Sequence, residues 1–326
     1  MKNKCLYCYQ PLDGALDFHE KCSKQFFGTQ VPPTLNHTLE EMSELAKQVV
    51  ERSVTVPGVQ PKLSLSVIKE IAETTEQRLT VVGALGGNYI LKPPSEFYPE
   101  MPANEHVTMR IAEAFGIKVV PSSLIRLKSG ELAYLNKRID RTKKGDKIHM
   151  LDLFQITEAF DKYKSSMEKV GKAILEHSEN TLLDALNLFE LTLFCFLTGN
   201  NDMHLKNFSM IKSSSGWILS PAYDLLNVTI ANPSDKEELA LTLGGKKKKL
   251  NRTYFERFGR ELGLTNKQIE SVFNRLVKNK VKAVEWIRQS FLSDELKEDY
   301  LELLEDRYTI LSISRKSCGL SIIATT

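Results

Sequence analysis

The chain has 326 residues, of which 42% are hydrophobic and 26% are charged, and its formal net charge is +3 at pH 7. These values are ordinary for a soluble globular protein with one large or two medium domains. A net charge this small gives no reason to expect direct nucleic-acid binding. No apolar stretch approaches the roughly 20 residues that a membrane helix needs, and the first residues do not form a signal-peptide core. We therefore expect a cytoplasmic protein without membrane contact.

The first 30 residues, here called the Cys/His module, contain the pairs Cys5-x-x-Cys8 and His19-x-x-Cys22. Two such pairs on tight turns can close a tetrahedral shell around Zn²⁺, as in a zinc knuckle. A segment this short has little core of its own, so a metal would help it to fold. The alternative is that these cysteines only lie near a packed aromatic cluster. Because four protein ligands leave no open position, we expect a structural rather than a catalytic zinc site.

A capping-box pattern at Thr38 and Glu41 predicts the start of a helix after this module. After this helix the helical pattern ends, and a loop with one glycine precedes the alternating apolar residues of a predicted strand. In such a loop the backbone N–H groups can approach phosphates, although an ordinary hairpin turn would explain the loop if it stood alone. The candidate nucleotide-binding residues here are Gly58, Val59, Gln60 and Lys62.

Strands are predicted over residues 79–82, 89–91, 119–127 and 132–139, which would form a mainly β lobe. Lys92 follows the second of them, and Glu105 lies near the start of a predicted helix. In kinases, a strand lysine paired with a helix glutamate holds the α and β phosphates of ATP. The alternative is an unrelated edge lysine and a glutamate that complements the helix dipole. The segment that leads into the next lobe would flank adenine, which adds Lys137 and Ile139 to the candidates.

From about residue 150 the pattern becomes helical, with helices predicted over residues 151–160, 167–177, 182–197, 254–262, 266–291 and 294–311. A predicted hairpin over residues 208–219 interrupts this series. The sequence therefore predicts an α+β, two-lobed, protein-kinase-like fold. Its parts would be the Cys/His module at 1–30, a helix and β-rich N-lobe at 31–145, and a helical C-lobe at 146–326.

The spacing Asp202-x-His204-x-x-Asn207 follows the most apolar predicted helix, and Asp224 follows the hairpin. A magnesium-dependent kinase needs an acid that accepts or orients the acceptor hydroxyl, and oxygen ligands that hold Mg²⁺ against the triphosphate. Asp202 fits the first role, and Asn207 and Asp224 fit the second. His204 and Lys206, in the same loop, complete the set of catalytic candidates. The alternative is that these are only polar turn residues.

Five ordered motifs resemble the HipA-like serine/threonine kinase toxins, most closely the short HipT form of three-component toxin–antitoxin systems. The motifs are Gly58-Val59-Gln60-Pro61-Lys62, Gly87-Asn88-Tyr89-Ile90-Leu91-Lys92-Pro93, Asn104-Glu105-His106-Val107-Thr108-Met109, Gly199-Asn200-Asn201-Asp202-Met203-His204-Leu205-Lys206-Asn207-Phe208 and Pro221-Ala222-Tyr223-Asp224. The resemblance implies that Asp202 is the catalytic acid, that Asn207 and Asp224 hold Mg²⁺, and that Lys92 contacts the phosphates of ATP. It also implies a mobile Gly58 loop that autophosphorylation can inactivate.

The sequence departs from this family in two places. Longer members carry a subdomain of roughly a hundred residues before the glycine loop, so a separate small HipS-like protein could supply it here. HipT-like loops can carry two phosphorylatable serines, whereas this chain has Thr55 at the first position and Pro57 at the second. A two-site switch is therefore not expected, and Thr55 is the candidate modification site. The alternative is that Thr55 is only a strand residue whose β-branched side chain suits an extended backbone.

The resemblance implies a toxin kinase that modifies a serine or threonine of a translation enzyme such as an aminoacyl-tRNA synthetase, and that has a HipB-like DNA-binding antitoxin as partner. A small-molecule phosphotransferase remains an alternative, because the Asp202 motif does not distinguish a sugar hydroxyl from a seryl one. A third interpretation is an inactive nucleotide-binding partner of the antitoxin.

Overall fold

The computed structural model describes residues 3–14, 16–52, 62–69, 77–82, 87–142 and 144–311. Within these ranges the strands are β1 (Leu63–Lys69), β2 (Gln77–Val81), β3 (Tyr89–Lys92), β4 (Ser122–Arg126), β5 (Leu132–Lys137), β6 (Met150–Asp152), β7 (Ser209–Ser213) and β8 (Gly216–Leu219). The helices are α1 (Glu20–Phe27), α2 (Leu39–Arg52), α3 (Met101–Ala114), α4 (Leu153–Ile156), α5 (Met167–His177), α6 (Thr181–Leu197), α7 (Val228–Ala231), α8 (Arg252–Glu261), α9 (Asn266–Gln289) and α10 (Asp294–Ile310). A short 3₁₀ helix covers Leu205–Asn207.

The N-lobe is built on an antiparallel sheet, which in the described residues has five strands in the order β2-β1-β3-β5-β4. Leu63 and Leu65 of β1 are buried, as the apolar alternation of that strand predicts. The register places Lys92 opposite Tyr134 of β5. Since β3 lies between β1 and β5, Lys92 ends a central strand, and its backbone is positioned by the pairing with β5.

Helix α3 contacts β4 and β5 of this sheet on one side and α9 on another. Pro102 lies in its first turn, and the chain leaves the helix through Gly116, whose φ of 88° suits glycine. Asn104, Glu105 and His106 are almost fully buried. A helix that is buried on all sides belongs to the core, so polar residues on it need partners inside the protein.

The C-lobe is organised around α6, whose residues from Leu191 to Leu197 are all buried. Helices α5, α8 and α10 contact it. The strands β6, β7 and β8 form a small antiparallel sheet beside these helices, and the predicted hairpin is its β7–β8 pair. None of the helices in the described ranges is long and apolar enough to cross a membrane.

The helix predicted over residues 151–160 is wrong. Met150–Asp152 instead pairs with β7 as strand β6, and only Leu153–Ile156 is helical. The Asp152 side chain accepts a hydrogen bond of 2.8 Å from the backbone N–H of Gln155 and so starts the helix there. Glu158 has a φ of 49°, which ends any helical continuation. A short apolar run does not separate strand from helix by periodicity.

Candidate active site

The loop after α6, residues 198–207, is called the Asp202 loop here. Gly199 has a φ of 66°, and a Cβ atom there would lie 2.8 Å from Asn227 Oδ1 and 2.8 Å from Thr229 Oγ1. Only glycine fits a turn with both constraints. The carbonyl oxygen of Gly199 also accepts a hydrogen bond of 3.2 Å from the Thr229 backbone N–H. These contacts fix the Asp202 loop to the segment that follows Asp224.

The Asp202 loop is braced by its own polar groups. The Asn207 side-chain amide donates to the carbonyl oxygen of Asp202 at 3.0 Å, and the backbone N–H of Asp202 donates to Asn200 Oδ1 at 3.3 Å. Because the first contact uses the amide nitrogen of Asn207, its Oδ1 is the atom that could face a metal ion. Burial lowers the pKa of His204 although Asp202 opposes the shift, so this ring is neutral near pH 7.

Lys92 lies between two carboxylates. Its Nζ is 2.6 Å from Glu105 Oε1 and forms a second ion pair with Asp224 Oδ1. The Nζ of Lys62 is 3.5 Å from Asp224 Oδ2. The ion pair between the strand lysine and the helix glutamate that the sequence indicated is therefore present, and the same lysine reaches the acidic residue from the C-lobe.

The pairing of opposite charges determines the ionisation of Lys92 and Asp224. Burial alone would raise the pKa of Asp224, but the charges of Lys62 and Lys92 outweigh it and hold that pKa well below its usual range. Burial alone would lower the pKa of Lys92, yet Asp224 and Glu105 outweigh it and raise that pKa. Burial raises the pKa of Glu105 to about 7, with Lys92 opposing the shift. Without Lys92 the buried carboxyl of Glu105 would take up a proton.

Asp224 has a left-handed backbone, with a φ of 60°. A residue with a Cβ atom pays a conformational cost in this region, and such residues persist where the surrounding structure fixes them. The preceding residue is held in place by a hydrogen bond of 3.0 Å, in which the Tyr223 hydroxyl donates to the carbonyl oxygen of Lys206. The strained turn presents the Asp224 carboxylate to Lys92.

A cavity of about 310 Å³ opens between the two lobes beside this ion-pair group. A volume of this size is at the lower end of the usual range for small-ligand sites. Of the candidate residues, the cavity lining contains Lys62, Lys92, Glu105, Lys137, Ile139, Lys206 and Asp224. Asp152, Asn136 and Arg138 also line it. Asp202, His204 and Asn207 lie in the adjoining loop rather than in the lining.

Four candidates cannot be placed. Gly58, Val59 and Gln60 of the glycine loop and the modification site Thr55 lie outside the described residues. Lys62 is described, and its ion pair with Asp224 shows that the chain enters β1 beside the cavity.

Tyr163 contacts Asp202 and was not among the candidates. Its hydroxyl donates to Asp202 Oδ1 at 2.6 Å, and its ring lies edge-on against His204 with the ring centroids 5.0 Å apart. Burial, reinforced by the hydrogen bond to Asp202, raises the pKa of Tyr163, so the hydroxyl keeps its proton and remains a donor. The loop that carries Tyr163 has no motif that would have singled it out.

The predicted zinc ligands Cys5, Cys8, His19 and Cys22 come together, and their ligand atoms all lie within 4.8 Å of one another. His19 Nδ1 is 3.4 Å from Cys8 Sγ and 3.8 Å from Cys22 Sγ. A tetrahedral zinc site has ligand atoms separated by roughly 3.3–3.8 Å. His19 Nε2 is 3.1 Å from the Pro11 carbonyl oxygen. A proton on Nε2 would leave Nδ1 free for a metal.

Comparison with known proteins agrees with this arrangement. Residues 54–284 match the family described as the HipA-like C-terminal domain. A Haemophilus influenzae protein described as "Putative kinase" is 30% identical over 296 residues, covering 81% of this chain and 83% of that protein. The serine/threonine-protein kinase toxin HipA of Shewanella oneidensis is 26% identical over 211 residues, covering 58% of this chain and 46% of HipA.

The fold is also found in a solved structure. The Shewanella oneidensis complex of HipA, HipB and operator DNA contains a chain that superposes with a TM-score of 0.66 and 22% identity, over 83% of this chain and 71% of that chain. At this identity the match shows the fold alone. Together with the family match over residues 54–284, it leads to one identification: the chain belongs to the family of HipA-like C-terminal domains and has its α+β, kinase-like fold.

Proposed function

We propose that the protein is a magnesium-dependent kinase that transfers the γ-phosphoryl group of ATP to a serine or threonine of a protein. The observation that carries this proposal is the position of Lys92, which pairs with Glu105 of the N-lobe and with Asp224 of the C-lobe at the wall of the cavity between the lobes. A lysine, a helix glutamate and a metal-binding aspartate in contact are the parts that a kinase uses to hold a triphosphate.

Different residues in and beside the cavity would bind the phosphates, the adenine and the magnesium ion of Mg²⁺-ATP. Lys62, Lys92 and Lys206 bring positive charge to the lining, which suits the phosphates. The backbone around Lys137 and Ile139 would flank adenine. The donor set for Mg²⁺ is the carboxylate of Asp224 and the amide oxygen of Asn207, both hard oxygen ligands that this ion accepts. Bound Mg²⁺ would neutralise charge on the phosphates.

Asp202 would receive the acceptor hydroxyl. Its Oδ1 already accepts a hydrogen bond from a hydroxyl, that of Tyr163, so the carboxylate is presented in a way that suits such a donor. Tyr163 is 38% exposed, and Phe160 in the same loop is fully exposed. Exposed aromatic side chains are common at protein–protein interfaces. Their presence in this loop, which contacts Asp202 through Tyr163, therefore favours a protein over a small molecule as the acceptor substrate.

Tyr163→Phe tests whether Tyr163 positions the Asp202 carboxylate. We expect kcat to fall roughly tenfold, because a hydrogen bond to a charged group is lost, while KM for ATP stays unchanged. Tyr98→Phe, at an exposed tyrosine, is the control. A faster rate in Tyr163→Phe would instead mean that Tyr163 blocks the acceptor.

We also propose that the protein acts as a toxin with a HipB-like DNA-binding antitoxin. The support is the HipA toxin relative and the fold shared with HipA from the complex with HipB and operator DNA. A translation enzyme such as an aminoacyl-tRNA synthetase is the proposed target, and a HipS-like protein the proposed third component. Expression should arrest growth, and co-expression of the antitoxin should relieve the arrest. Arrest that persists unchanged in Asp202→Asn would refute a toxic kinase activity.

Autophosphorylation at Thr55 is the proposed regulation of the glycine loop. A phosphate there adds roughly −1.5 to −2 charge, and we expect repulsion by the acidic groups of the site to keep the loop from covering ATP. Mass spectrometry should find phosphate at Thr55 in active enzyme and not in Asp202→Asn. Thr55→Asp should bind ATP more weakly, whereas Thr253→Asp, on the surface of α8, should bind it normally. An unmodified Thr55 after incubation with ATP would exclude this switch.

A further inference from the structure

Helix α3 is held by a series of buried polar contacts, each to a different part of the protein. The Asn104 side chain exchanges hydrogen bonds of 2.8 and 2.7 Å with the backbone of Asn227, three residues after Asp224. Glu105 pairs with Lys92, and the side chain of His106 meets the Cys/His module. Buried polar groups are costly unless they are bonded. A shift of α3 would therefore disturb the lysine and the Asp224 turn together.

Tyr9 makes the buried hydrogen bond between the Cys/His module and α3, and the Arg110 guanidinium of α3 also lies over the Tyr7 ring of the module. The Tyr9 hydroxyl and Nδ1 of His106 share a hydrogen bond of 2.7 Å, and both residues are almost fully buried. The Tyr9 ring lies edge-on against His106 and also against Trp286 and Phe291, with ring-centroid distances of 5.3, 5.3 and 5.2 Å. Tyr9 thus fills a pocket formed by α3 and the end of α9.

The turn that presents the cysteines also sets the conformation of Tyr9. Tyr9 follows Cys8 directly and has a left-handed backbone, with a φ of 62°. Its backbone N–H donates to the carbonyl oxygen of Cys5 at 2.9 Å. A left-handed tyrosine needs surrounding structure to hold it. Four convergent metal ligands on this turn and on the start of α1 would provide that constraint.

The rest of the module is attached to two elements, α9 and β4, that pack against different sides of α3. Lys4 Nζ donates to the carbonyl oxygens of Gln289 and Ser290, each at 2.9 Å, at the C-terminal end of α9, where a cation is favourable. Asp17 forms a two-pronged ion pair with Arg126 of β4. The module therefore has fixed points on both sides of α3 and could hold the helix between them.

We propose that Cys5, Cys8, His19 and Cys22 bind one zinc ion, and that this ion, by fixing the turn at Tyr9, clamps α3 in the position from which Glu105 pairs with Lys92. Zinc occupancy would then set the affinity for nucleotide. Only this last link rests on the proposed kinase function. The ligand set of three thiolates and one imidazole suits zinc, and the cysteines are free thiols in the structure.

The first test is metal content and amide hydrogen exchange of the full chain. We expect one zinc per chain in wild type and none in Cys8→Ser. Loss of zinc should speed exchange in α3 by at least roughly tenfold, more than in α6, since local protection follows the contacts that hold an element. Cys195→Ala, which removes a buried cysteine outside the module, should retain zinc and α3 protection. Wild type without zinc, or unchanged α3 exchange after its loss, would overturn the clamp.

A second variant separates the clamp from general unfolding of the module. Tyr9→Phe keeps all four ligands and the ring but removes the hydroxyl that meets His106. We expect full zinc content, α3 exchange at least roughly fivefold faster, and weaker binding of the ATP analogue AMP-PNP by calorimetry. Normal AMP-PNP affinity in both Tyr9→Phe and Cys8→Ser would overturn the coupling. If wild type binds no AMP-PNP, the proposed kinase function fails, whereas the α3 exchange still decides the clamp.

Discussion

Asp202→Asn is expected to lower the rate of phosphoryl transfer at least about 100-fold and to leave AMP-PNP affinity unchanged. The amide has the size of the carboxylate and can still accept the hydrogen bond from Tyr163, so the loop should keep its shape. It cannot take the proton of an acceptor hydroxyl or stabilise its charge. Asp202 also lies outside the cavity lining, which is why nucleotide binding should be spared. Rapid-quench kinetics would measure the rate of phosphoryl transfer, and calorimetry would measure the affinity for AMP-PNP.

The control for this variant is Asp299→Asn, which removes an exposed carboxylate of α10 and should change neither quantity. If Asp202→Asn kept near wild-type turnover, Asp202 would not be the catalytic acid. If it lost nucleotide affinity instead, Asp202 would belong to the metal-binding group.

Asp224→Asn should have the opposite profile, with a loss of Mg²⁺-dependent nucleotide affinity of at least about tenfold. In this variant Lys92 keeps Glu105 as its partner, and asparagine tolerates the left-handed backbone of Asp224, so the fold should survive. We expect wild type to bind AMP-PNP more tightly with Mg²⁺ than with EDTA. In the variant this difference should largely disappear, because the charged metal ligand is gone.

The decisive comparison is between the two aspartate variants in the same calorimetric series. Asp202→Asn should retain the full effect of Mg²⁺ on affinity, and Asp224→Asn should not. An equal response of the two variants to Mg²⁺ would show that the roles assigned to them are wrong.

Local patterns in the sequence predicted most of the elements that carry the site. Apolar runs indicated α6 and the β7–β8 hairpin, whereas α3 was indicated by Pro102 in its first turn and Gly116 at its end. The positions of Lys92 at a strand end and of Glu105 at a helix start allowed two interpretations, and the structure contains the ion pair. The capping box at Thr38 and Glu41 is also present, with Thr38 N–H donating to Glu41 Oε2 at 2.8 Å. These features depend on a few neighbouring residues, which is why the sequence revealed them.

Contacts between distant residues could not be anticipated in the same way. Tyr163 is 39 residues from Asp202 in the chain, and Asn104 is 123 residues from Asn227. Tyr9 and His106 are 97 residues apart. No local spacing encodes such pairs, because they arise when two elements pack. The strand β6 escaped prediction for the same reason, since it is defined by pairing with β7.

Several of these distant contacts converge on helix α3. The motif around Glu105 supplies partners for the turn that follows Asp224, for Lys92 and for the Cys/His module from the consecutive residues Asn104, Glu105 and His106. Such a helix connects both lobes and the N-terminal module at once. A displacement of α3 would therefore disturb all three contacts together.

Incubation of the purified protein with Mg²⁺ and γ-labelled ATP in a cell extract tests the central claim most directly. The proposed function requires label on a serine or threonine of a protein, and no such label with Asp202→Asn under the same conditions. Mass spectrometry of the labelled protein would identify the target. Absence of protein-bound label above that of Asp202→Asn, while wild type binds AMP-PNP normally, would contradict a protein kinase.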